Sequence, residues 1–79
     1  MDPITLTYPV DFEGGKLNEI TLRRPKVSDV TAARKTAKDD ASQEVALIAK
    51  LAGLPTSIIE ELDLGDYKKL QEHLQGFFG

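Results

Sequence analysis

A chain of 79 residues with 41% hydrophobic and 29% charged content has room for one small core and too many apolar side chains for a disordered tail. The absence of cysteine excludes disulfides, thiolate nucleophiles and Cys-based zinc sites, and a single histidine, His73, excludes a histidine pair with metal spacing. No segment approaches the roughly 18 apolar residues of a membrane span, the N-terminus "MDPITLTYPV" lacks a basic leader, and the formal net charge of −3 argues against a general nucleic-acid binder.

In chain order, Ile4, Leu6, Tyr8 and Val10 alternate with Thr5 and Thr7, the period of a half-buried strand, and Pro9 marks that strand as an edge. A second run puts Ile20 and Leu22 on one face and Glu19, Thr21 and Arg23 on the other, with Gly14-Gly15 between the two runs, which predicts a β-hairpin. A two-residue Gly14-Gly15 turn would set Val10 against Glu19 and Tyr8 against Thr21, apolar against polar on one face. The pattern therefore predicts a loop of three or five residues, or a bulge at a glycine, with Val10 and Tyr8 near Ile20 and Leu22 and Phe12 near the tip.

Pro25 ends the strand, and Ser28 or a neighbour caps a helix through about Lys38 with Val27, Val30, Ala33 and Ala37 inward. A second helix starts near Ala41, where Asp40 and Gln43 have capping-box spacing, and turns Val45, Ile48, Leu51 and Ala52 inward. Its stop is explicit: Gly53 suits a left-handed residue, Leu54 folds back and Pro55 forbids continuation. A short helix over 55–62 with Ile58, Ile59 and Leu62 inward precedes a last helix, capped by Asp63 and running to about Phe77, with Tyr67, Leu70, Leu74 and Phe77 on one face. The expected architecture is α+β, an N-terminal β-hairpin followed by three or four short packed α-helices, in a single domain over 1–79 with the hairpin in 1–24 and the helical part in 25–79.

Chemistry-bearing motifs are scarce. There is no Gly-rich phosphate loop and no nucleophile elbow, so no catalytic, cofactor or metal residue is assigned. His73 lies at the edge of an apolar helical face. Asp39-Asp40 and Glu60-Glu61 point about 100° apart on a helix and suit capping and solvation better than ligation. The middle is basic, with Arg23, Arg24, Lys26, Arg34, Lys35 and Lys38 against Asp29 alone, while the C-terminal third is acidic. No aromatic is interleaved with those cations in sequence, which favours an ordinary solvated face or a surface for an acidic protein partner over nucleic acid. The ending "LQGFFG" supplies Phe77 to the core, and Phe78, with Leu64, either fills the core as well or leaves apolar surface for a partner helix.

The order strand, "TLRRP", polar helix, "EVALIAKLAGLP", then "LDLGDYKKLQEHLQGFF" resembles the tail assembly chaperone family of Mu-like and P2-like bacteriophages and their prophages, over nearly the whole chain. The resemblance implies a non-enzymatic factor without cofactor or small-molecule substrate. It would bind the long helical tape measure protein in the cytoplasm of the bacterial host, keep it soluble, and be absent from the mature virion. It also implies a longer, frameshifted product made near Gly76-Phe77-Phe78, and leaves self-association open. On this expectation Arg23 and Arg24 either dock acidic positions of the client, while Phe77 and Phe78 cover its apolar stripe, or are local salt-bridge partners; the alternatives in function are a small nucleic-acid-binding regulator and a structural tail subunit.

Overall fold

The computed structural model describes residues 2–78. An antiparallel hairpin of β1 (Ile4–Phe12) and β2 (Gly15–Ile20) is followed by α1 (Val27–Thr36), α2 (Asp40–Ala52), α3 (Thr56–Glu60) and α4 (Leu64–Phe78), the expected α+β order.

The hairpin departs from expectation at its turn and in its register. The loop is even, made by Glu13 and Gly14 with successive left-handed φ values of 50° and 79°, as in a type I′ turn, and Phe12 pairs with Gly15 beside it. Val10 therefore faces Leu17 rather than Ile20. The apolar phase is repaired further back: between the pairs Thr5–Glu19 and Val10–Leu17, residues 6–9 of β1 stand against Asn18 alone. Pro9 sits inside that irregularity, where no ladder donor is required. Leu6 is buried, whereas Tyr8 is turned out and 61% exposed, so the alternation of β1 breaks at Tyr8 and resumes with half-buried Val10 and Phe12 on either side of exposed Asp11.

The helix caps also sit one or two residues from their expected places. α1 starts at Val27, before Ser28, because Asp29 reaches back to accept from the Lys26 backbone N–H at 2.8 Å. With Asp29, Val30 and Ala33 on the inward side, Val27 lies about 200° of helical turn from Asp29 and is exposed instead of buried. The N-cap of α2 is Asp39, not Asp40; its carboxylate accepts from Ser42 N–H at 3.0 Å. Gln43 donates instead to the Ala37 carbonyl at 3.1 Å, tying α2 to the end of α1.

The α2 stop is as expected. Gly53 has φ 70°, its N–H donates to Lys50 O, and Leu54 N–H donates to Ala49 O at 3.0 Å, the paired bonds of a Schellman motif. α3 is shorter than expected because Glu61 and Leu62 bond three residues back, to Ile58 and Ile59, and tighten the chain out of the helix.

Leu6, Ile20 and Leu22 from the hairpin and its exit meet Ala33, Leu47, Ile48, Leu51, Ile59, Leu70 and Leu74 in one core cluster. Each large side chain fully removed from water contributes about 1.5–3 kcal/mol. Val45, Ala52, Tyr67 and Phe77 pack at its margin, and Arg23 N–H donates to Leu51 O at 3.1 Å, extending the hairpin's grip onto α2.

Candidate partner-binding surface

The joint between hairpin and helices is built on Arg23. Its guanidinium donates two parallel bonds to the Asp29 carboxylate, at 2.7 and 2.8 Å, and Asp29 is nearly inaccessible to solvent. Hydrogen bonds from Arg23, then from the Lys26 N–H, hold the Asp29 carboxyl well below the usual carboxylate range. Asp29 in turn holds the Arg23 guanidinium more firmly protonated. Most of the charge of Arg23 is thus answered inside the molecule, where it fixes the direction in which the chain leaves Pro25.

Arg24 points elsewhere. Its guanidinium carbon lies 5.8 Å from the centroid of the Phe77 ring, a cation–π distance, and Phe77 stands edge-to-face with His73, 5.2 Å between centroids at 78°. Phe78 beside it is 63% exposed. The fold thus gathers Arg24, Phe77 and Phe78 at the C-terminal end of α4, with Arg23 one residue away and engaged with Asp29. Leu64 is exposed, but at the opposite end of the same helix from Phe78. The half-buried His73 ring packs on Phe77 at the margin of the apolar face.

Along the chain the cations continue from Arg24 through α1. Among the described residues the ion pairs are Lys16–Asp11, Arg23–Asp29 and Lys69–Asp66. Arg24, Lys26, Arg34, Lys35 and Lys38 therefore stand exposed without a carboxylate partner, a cationic strip on a chain whose net charge is −3.

A second polar cluster was missed in the sequence. Asp66 is 1% exposed, and its carboxylate accepts from Thr7 N–H at 2.9 Å, Tyr8 N–H at 3.0 Å and Lys69 Nζ at 3.1 Å. Lys69 Nζ also donates to Thr5 O at 3.2 Å and Thr7 Oγ1 at 2.8 Å. α4 thus supplies the acceptor that the irregular stretch of β1 cannot find on β2. A signal existed: Asp66 precedes Leu70 and Leu74 at steps of four, on the apolar stripe, and Asp29 has the same relation to Ala33. A carboxylate on a buried stripe needs donors, and both have them.

Among the described residues no group of three or more His, Asp and Glu is placed to hold a metal ion, and no helix is long and apolar enough to cross a membrane. A family model described as "Phage tail assembly chaperone proteins, E, or 41 or 14" matches residues 3–79. The chain belongs to this family. No curated protein and no solved structure matches it. As the match spans the hairpin and all four helices, the cationic strip and the aromatic end of α4 are surfaces of a tail assembly chaperone, a family role that implies a tail protein as partner.

Proposed function

We propose that this chaperone acts without catalysis, binding the tape measure protein in the cytoplasm of the infected bacterium, holding it soluble, and leaving before the virion is complete. The observation that carries the reading is that Arg24, the first of the exposed, unpaired cations between Arg24 and Lys38, lies over the Phe77 ring beside exposed Phe78, on a chain that is otherwise acidic. A long client helix presents an apolar stripe flanked by charge. Aromatic surface supplies affinity for the stripe, and the cations steer and register acidic positions beside it.

In this reading Arg24, Phe77 and Phe78 touch the client. Arg23 takes part through the half-exposed edge of its guanidinium and by setting the position of Arg24. A longer frameshifted form, diverging near Gly76-Phe77-Phe78, would carry the same strip and add contacts beyond it.

The test is co-expression of the tagged chain with the long helical product encoded downstream. The expected result is a client that becomes soluble and copurifies, and an Arg24→Glu/Phe78→Ser variant that remains folded but loses capture. A client that stays insoluble and uncaptured, with the short and the longer form alike, overturns the reading.

A further inference from the structure

The outer edge of β1, away from β2, is covered over only part of its length. From Thr5 to Tyr8 α4 covers it, with Asp66 on the Thr7 and Tyr8 N–H groups and Lys69 on the Thr5 carbonyl. Beyond Tyr8 the strand runs on to Phe12, and among the described residues no third strand pairs with it. The turn decides which backbone groups are left over. Phe12 and Gly15 close a two-residue turn as a hydrogen-bonded pair, so at the next pair, Asp11 and Lys16, both backbones turn N–H and C=O outward. The Asp11 amide therefore has no partner inside the hairpin.

Beside this stretch lies a cleft of about 490 Å³, lined by Pro9, Val10 and Asp11 from β1 and by Ser57, Ile58 and Glu61 from α3 and its end. Consecutive strand residues point to opposite faces, so a cleft touched by three in a row lies along the strand's edge. Val10 and Ile58 are half-buried and lie outside the core cluster. The cation at the cleft, Lys16, is bridged to Asp11 at 2.6 Å, whereas Glu61 is exposed and has no ion-pair partner among the described residues. The cleft thus combines an open strand edge, a helix opposite it, two aliphatic side chains and one unanswered negative charge.

We infer that this cleft receives an extended segment of a partner protein, which pairs with the Asp11 backbone, sets an aliphatic side chain against Val10 and Ile58, and brings a lysine or arginine to Glu61. The open Asp11 amide and carbonyl select an extended occupant, because a helix has already used its own backbone groups internally. The charge of Glu61 selects a basic one. Pro9 offers no N–H, so the added pairing is short and the side chains carry most of the specificity. The cleft adjoins the first turn of α4, where Asp66 holds Tyr8, and is separate from Arg24, Phe77 and Phe78 at the helix C-terminus. The inference goes beyond client binding at that surface and does not require it.

The test is titration of a blocked peptide of alternating valine and lysine into the ¹⁵N-labelled full chain. The expected result is saturable shifts centred on the Asp11, Ser57, Ile58 and Glu61 amides, with a Kd below about 1 mM. Exchanging the lysines for glutamate, or N-methylating the peptide backbone, should weaken binding about tenfold or more. Glu61→Gln, with folding checked by circular dichroism, should weaken it about threefold. No saturation up to about 5 mM, shifts centred on Arg24 and Phe78, an N-methylated peptide that binds as well as its parent, or wild-type affinity in Glu61→Gln would each overturn the proposal. So would cleft amides that shift with protein concentration alone, which would give the cleft to a second copy.

Discussion

Two carboxylates, Asp29 and Asp66, add hydrogen bonds between segments whose apolar side chains also meet in the core. The Asp66 carboxylate faces the N–H groups of Thr7 and Tyr8, which an amide cannot copy: Asn offers one carbonyl oxygen and an NH₂ group that opposes a second donor. Asp66→Asn should therefore lower the thermal midpoint by about 10 °C and expose the Thr7 and Tyr8 amides to fast hydrogen exchange. Lys69→Met, removing a donor that is 44% exposed, should do less. Unchanged exchange at Thr7 and Tyr8 in Asp66→Asn would show that the bulge holds itself. The adjacent arginines make a sharper pair. Arg23→Ala strands Asp29 and should reduce stability, whereas Arg24→Ala, losing only a surface cation–π contact, should melt near the wild type and be impaired in client capture. Melting and copurification on the same two proteins separate a structural arginine from a docking one.

At the scale of elements, backbone conformation identifies where stability is gained or lost cheaply. Glu13 occupies a left-handed position that Asn fills better before Gly, so Glu13→Asn should stabilise the hairpin by about 0.5 kcal/mol, and Gly53→Ala at φ 70° should cost about 1 kcal/mol; urea midpoints measure both. The same elements show what was legible in the sequence. The α2 stop could be read because Gly53, Leu54 and Pro55 act on the backbone locally, and Ile48 and Leu51 of α2 and Leu70 and Leu74 of α4 could be read from their helical spacing, whereas buried Leu47, Ala49 and Asp66 fell outside the expected sets. Tyr8 could not be placed, since the partner that turns the strand there, Asp66, is 58 residues away. Val27 was misplaced because Asp29, the more demanding residue, took the inward side of α1. Of the proposed docking surface, the cluster of cations is visible as composition. The seating of Arg24 on Phe77 is a product of tertiary packing, and so is the diversion of Arg23 to Asp29.

For the whole molecule the consequence is a stability that depends on pH through buried groups. Burial pushes the Asp66 carboxyl up, but the bonds from Thr7, Tyr8 and Lys69 outweigh it and leave the group at about 2; Asp29 is likewise held low, chiefly by Arg23. In the unfolded chain both titrate near 4. Their contribution to stability is thus complete above that pH and is lost as the pH falls through the folded-state values. The urea midpoint should therefore hold level from neutrality to about pH 5 and fall steeply below pH 4. Asp66→Asn should start lower at neutral pH and fall less steeply, because the proton that the wild type must take up on unfolding is absent from the exchange. If Asp66→Asn kept the wild-type slope in that window, the acid sensitivity would belong to the exposed carboxylates. Added salt, which screens exposed charges and leaves the buried Asp66 bonds nearly untouched, would then flatten the slope of the wild type as well.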